Sequence, residues 1–99
     1  MISSQTIQTS IDELRAITKV DLNVYDLTGA LVASTADMEE ISTGLLTGFA
    51  ASPADSQVIG HHHLLKIVDD GEVLYILVAR GLSDDVYMVG KIAVCQLQN

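Results

Sequence analysis

His61, His62 and His63 stand in a row ahead of an apolar stretch, and Arg80 closes the apolar stretch that follows. These residue types have the widest chemical reach in the chain. In an extended strand His61 and His63 share one face while His62 points to the other. Two imidazoles at i and i+2 can bind zinc or copper, but a firm site takes three or four ligands, and no Cys or His-x-x-x-His helix stands near to supply them. The triplet reads first as a polar strand start at a sheet edge, and second as a source of pocket side chains from His61 or His63. Arg80 presents a planar fork of donors that fits a carboxylate. It is the first candidate for holding an organic acid; its plainer role is a strand-end arginine reaching solvent or pairing with Asp84 or Asp85. Ser34 ends an earlier apolar run, where its hydroxyl can meet a ligand or cap a following helix.

Other polar groups point away from catalysis. Asp12, Glu13, Asp37, Glu39 and Glu40 have no neighbouring base, nucleophile or metal partner of the kind acid–base chemistry requires. Asp69-Asp70-Gly71-Glu72 lacks the twelve-residue calcium-loop pattern and reads as a turn. No nucleophile elbow, phosphate loop or dinucleotide fingerprint occurs, so the chain reads as a non-enzyme without a cofactor. Lys66 is expected to cover apolar surface with its stem, and Cys95, on a strand with Val89 and Ala93, to be a small buried apolar residue.

Composition narrows the class. The chain has 99 residues, 48% of them hydrophobic, and a formal charge of −8, which fits one domain with one modest core. Five scattered Lys and Arg argue against a direct grip on nucleic acid. No apolar run approaches a membrane span, and the start, MISSQTIQTS, lacks the basic region and long apolar core of a signal peptide. With one cysteine, which can form no internal disulfide, the expectation is a cytoplasmic protein that does not enter membranes.

The elements that must position these residues follow from pattern. Ile7, Ile11, Leu14 and Ile17 make one stripe of a helix starting near Ser4; a start at Ser10 is the shorter alternative. Lys19–Asp26 and Ala30–Thr35 alternate as two strands around an Asp-x-x-Gly turn. Asp37–Glu40 should open short helices, interrupted at Gly44 and Gly48 and ended at Pro53. Ala54–Gly60 reads as loop. From His63 to Cys95 three apolar runs suggest three antiparallel strands, the first two joined by Asp70-Gly71 in a type I′ turn. Counting out from that turn sets Val68 opposite Val73, Ile67 opposite Leu74, Leu65 opposite Ile76, His63 opposite Val78 and His61 opposite Arg80. One face then carries Leu65, Ile67, Leu74, Ile76 and Val78 with His61, His63 and Arg80 at its end; the other carries Leu64, Lys66, Val68, Val73, Tyr75, Leu77 and Ala79. A slip of one residue would exchange the faces. The fold class is α+β, a five-stranded antiparallel sheet with an N-terminal helix and short helices between strands 2 and 3.

That order is the order of a PAS-like sensory domain. The segment from Asn23 to Thr35, NVYDLTGALVAST, preceded by ELRAITKVDL, resembles the N-terminal sensor domain of sugar-diacid-regulator transcription factors, the CdaR-type and PucR-like regulators. The resemblance implies that residues 1–99 are a single PAS-like domain, cytoplasmic and homodimeric, joined at its C-terminus to a signalling or DNA-binding output. Such a domain would capture a small metabolite, an organic or sugar acid, between the sheet and the segment Ala36–Ser56. Leu31, Ile41, Leu45, Phe49, Leu65 and Ile76 would line the pocket, with polar contacts from Arg80, His63, His61 or Ser34. The alternative is a ligand-free dimerisation module with a filled core.

Overall fold

The computed structural model describes residues 3–36 and 41–98. Helix α1 (Ser4–Thr18) leads to strands β1 (Asp21–Tyr25) and β2 (Leu31–Ser34), helix α2 (Thr43–Ala51), strands β3 (Ser56–Ile59), β4 (His62–Asp69) and β5 (Glu72–Arg80), and helix α3 (Val86–Gln98). The five strands form one antiparallel sheet in the order β2-β1-β5-β4-β3. The α+β architecture is as the pattern predicts. The expected helical start at Asp37–Glu40 lies outside the described residues.

Helix α1 begins at Ser3, whose hydroxyl accepts from the Thr6 amide at 3.1 Å; this satisfies one of the orphan donors at a helix start. Ile7, Ile11 and Leu14 are buried, while Ile17 is exposed. The helix stops at Lys19, which takes the left-handed conformation at φ 64° and returns its N–H to the Arg15 carbonyl. Gln8 reaches from α1 to the outer edge of β2, donating to the Ser34 carbonyl at 2.8 Å and accepting from its amide at 3.1 Å. A side-chain amide thus stands in for a sixth strand and covers that edge.

The β1–β2 turn is held by Asp26. Its carboxylate accepts from the Thr28 hydroxyl at 2.5 Å, the Thr28 amide at 2.8 Å and the Ala30 amide at 3.1 Å. The Thr28 hydroxyl, foremost, and the backbone amides hold this carboxyl below its usual range. In the unfolded chain the carboxyl takes up its proton at higher pH than in the fold. Its contribution is therefore full above the ordinary carboxylate range and is lost as pH falls through the lowered value. Asp26→Asn is expected to flatten the acid side of the stability profile; melting curves between pH 2.5 and 6 check this.

Three segments differ from the sequence reading. The short helices expected to be interrupted at Gly44 and Gly48 are the single helix α2, which runs through both glycines. Val86–Cys95, expected as a strand, is the helix α3: Val86, Val89, Ala93 and Leu97 recur at helical spacing and are buried. Cys95 accordingly lies exposed on α3, the spacing from Ala93 that would share a strand face placing it away from the sheet on a helix. The expected loop Ala54–Gly60 contains β3, the sheet's second edge, paired with β4.

The register also differs. The turn is as read, with Asp70 and Gly71 both at positive φ (52° and 80°) and Asp69 opposite Glu72. Beyond it Val68 pairs with Val73 but Ile67 with Tyr75, so Leu74 is an extra residue in β5. This bulge moves every later pair by one: Leu65 faces Leu77, His63 faces Ala79, and His62, not His61, faces Arg80. The Val68 amide, out of step with the ladder, donates to the Gln98 side chain of α3 at 3.0 Å. The sheet thereby buries two apolar faces. Leu22, Val24, Leu65, Ile67, Leu77 and Ala79 pack under α1 and α3, and Tyr25, Leu64, Ile76 and Val78 under α2 with Leu46 and Phe49.

Candidate functional site

The first row of the sheet on its α2 side is built by pairing. Asp21 of β1 faces Arg80 of β5, Arg80 faces His62 of β4, and His62 faces Ile59 of β3. At the end of this row a cleft of about 500 Å³ opens between Thr18, Lys19, Asp21, His61, Arg80 and the loop Gly81–Ser83. The backbone after Arg80 runs close to Val86 and Val20: a β-carbon at Gly81 would come within 2.9 Å of Val86 Cγ2 and 3.6 Å of Val20 Cγ2. A side chain at Gly81 would have to displace Val86, so glycine here lets the chain pass close to α3 beside Arg80.

The charges in this cleft are unbalanced. Asp21 is committed elsewhere, to Arg15 at 2.7 Å and to the Thr35 hydroxyl at 3.2 Å. Lys19, His61 and the Arg80 guanidinium have no side-chain hydrogen bond or ion pair among the described residues. Two cations and an imidazole line one recess in a protein of net charge −8. Such a recess suits a small anion.

A second cleft, of about 400 Å³, lies on the other side of the Gly60–His61 turn. Ile41, Ser42 and Leu45 from the start of α2 and Ile59, Gly60, His61 and His62 line it, so His61 borders both recesses. Ser42 caps α2, accepting from the Leu45 amide at 3.2 Å. His62 is 8% exposed, and its Nε2 is buried without a hydrogen-bond partner among the described residues.

The remaining sequence candidates lie apart. His63 faces α3, its ring 6.2 Å from that of Tyr87, and its Nδ1 is buried without a hydrogen-bond partner among the described residues. The Ser34 hydroxyl is within 2.6 Å of the Asn23 side chain and 2.7 Å of the Ala36 carbonyl, at the half-buried end of a polar chain that reaches Tyr25. Phe49 is 2% exposed and packed among Leu46, Leu64 and Ile76. Among the described residues the expected pocket between sheet and Ala36–Ser56 is assembled only in part. Ile41 and Leu45 line the second cleft with His61, whereas Leu65 is on the opposite face, Leu31 is exposed, and Leu46 with Phe49 fills the space beneath α2. Of the polar candidates, Arg80 and His61 share a cleft.

Sequence reasoning missed His62, Lys19 and Gly81. The bulge at Leu74 is the cause for His62, because a regular two-residue hairpin would put it on the face away from Arg80. Among the described residues no group of three or more His, Cys, Asp or Glu is placed to hold a metal ion, and no helix is long and apolar enough to cross a membrane. No protein-family model matches the chain, and no curated protein matches it.

Proposed function

We propose that this is a non-catalytic, PAS-like sensory domain of a cytoplasmic transcriptional regulator, and that it binds a small organic acid at Arg80, Lys19 and His61. The observation that carries the reading is the unbalanced cleft: Lys19, Arg80 and His61 gathered beside one carboxylate, Asp21, that is already paired with Arg15, with no ion pair of their own among the described residues, at a recess of ligand size. The acid sits at the sheet end and not between sheet and α2, where the core is filled. Binding that favours one of two arrangements of a homodimer would bias an output domain. The loop Gly81–Ser83 joins the cleft directly to α3, which gives a ligand a short route to a packed helix.

The test is thermal unfolding against a panel of small organic acids, sugar acids and purine metabolites. An acid at ~100 times its dissociation constant should add roughly 2.7 kcal/mol of stability. Arg80→Ala should abolish that gain while leaving the melting temperature without ligand nearly unchanged, because the side chain has no partner among the described residues to lose. No shift across the panel, with a dimer persisting at low concentration, would support the second reading. That reading is a dimerisation module, and it is favoured by the filled α2 core and by β3, a four-residue open edge with no Lys or Pro and with Val58 59% exposed.

A further inference from the structure

Resting on the homodimer of that reading and not on its ligand, we infer that a second copy of this chain pairs antiparallel with β3, centred on Gln57, and joins the two five-stranded sheets into one. Sheet edges carry unpaired N–H and C=O groups, and proteins commonly block them. The two edges here are treated differently. Gln8 covers β2 with both ends of its amide, whereas β3 has no strand beyond it among the described residues and no Lys, Pro or charge along Ser56–Ile59. The Asp55 carbonyl accepts from the Lys66 amide at 3.2 Å, so Asp55 turns its backbone toward β4. Alternation along an antiparallel ladder then turns Gln57 and Ile59 toward β4 as well, and Ser56 and Val58 outward. A two-fold axis through Gln57 sets Ser56 of each copy against Val58 of the other, which pairs every outward group of both residues. A register centred on Ser56 or Val58 would match one of them to Ala54 or Gly60, outside the strand.

The edge suits a copy of itself. Gln57 meets Gln57, and a side-chain amide both donates and accepts. The strand is uncharged in a chain of net charge −8, so this approach sets no carboxylates face to face along the ladder. Asp55, just before the strand, comes to the end of the other copy where His61 stands. With β2 covered, each chain has one open edge, and such a contact closes as a pair instead of growing into a filament. A stable pair buries roughly 1,200–2,000 Å², more than a four-residue ladder offers. Apolar groups on both flanks extend it. On the α3 side the exposed Val58 stands across from His63, beside Tyr87; on the α2 side the exposed Leu45 borders the cleft it shares with Ile59.

The experiment is sedimentation equilibrium of the chain without ligand, with a position-specific cross-link beside it. The chain should sediment as a dimer that dissociates on dilution. Val58→Pro removes an N–H that points out of the fold, which an edge strand tolerates. It should weaken the dimer about thirtyfold, the scale of two lost hydrogen bonds. Gln57→Cys is made with Cys95→Ser, at a position already exposed. Opposed residues of a non-hydrogen-bonded pair stand about 4.5 Å apart at Cα, within disulfide reach, so mild oxidation should link the copies there. Val58→Cys, off the axis, should not link. Should Val58→Pro fail to fold, the cross-link decides. A dimer that Val58→Pro leaves intact and Gln57→Cys does not link would overturn this interface and leave the homodimer standing. Monomers at every concentration would overturn both and leave the edge to an extended segment of another protein. The thermal shift with organic acids is read separately, so failure of the ligand and failure of the interface are told apart.

Discussion

Lys66→Ala is expected to destabilise the fold by about 3 kcal/mol and Lys66→Met by about 1, the difference reporting the buried stem. Lys66 is 9% exposed on the α2 side of β4. Its ammonium donates to the Ser52 carbonyl, which closes α2, and stands 5.1 Å from the centre of the Phe49 ring. Three effects meet there. A hydrogen bond from a charged group contributes about 1.5–3 kcal/mol, a cation over an aromatic face about 0.5–1, and each buried methylene about 0.8. The cost of taking the ammonium out of water offsets part of that sum. Alpha-helix α2 has no basic residue in its own last turn, so the cation at its negative end comes from the sheet. Methionine keeps the stem and loses the charge; alanine loses both and leaves a void under Phe49. Urea unfolding reads the change as a shift in midpoint at constant slope. Equal losses for the two variants would contradict the assignment.

What the sequence showed and what it hid divide along physical lines. Local signals held. Asp70-Gly71 forms the turn, because both residues tolerate positive φ, and α1 follows its apolar stripe through Leu14. Non-local ones did not. VYMVGKIAVC is rich in β-branched residues and reads as a strand, but Val86, Val89, Ala93 and Leu97 also satisfy a 3.6-residue period, and only the open sheet face beneath decides between them. SQVI is too short and too polar to announce β3, which exists because β4 offers it a ladder. The bulge at Leu74 has no residue signature, such as a glycine, at its position. It turns on burying Leu65 and Leu77 together under α3 and Leu64 and Val78 together under α2. The make-up of the Arg80 cleft depends on that bulge. Arg80 and His61 were legible as chemistry, whereas His62 became Arg80's neighbour through one extra residue at the far end of the hairpin.

Gly90→Leu is expected to cost about 3 kcal/mol, because it overfills the contact between α3 and the sheet. A β-carbon at Gly90 would lie 2.9 Å from Leu65 Cδ1 and 3.4 Å from Ala79 Cβ. Gly90, which carries no side chain, thus lets the helix backbone come close to the sheet between the buried Val89 and Ala93. Gly90→Ala is a balance: alanine gains about 1 kcal/mol of helix propensity, and its methyl must displace the end of the Leu65 side chain, which can give. It should come out near neutral. Leucine has no such escape, since Leu65 and Ala79 are both buried beneath it. Leu65→Ala alone should cost about 2–5 kcal/mol as a cavity. Combined with Gly90→Leu it should recover part of both losses, since the new side chain enters the space the old one left. Strict additivity in that cycle would mean that α3 shifts away from the sheet rather than contesting the same volume. Such a shift would also be felt at the cleft, because the Gly81–Ser83 loop that walls it feeds directly into α3. Binding at Arg80 measured in Gly90→Leu thus reports whether helix seating and ligand capture are one equilibrium.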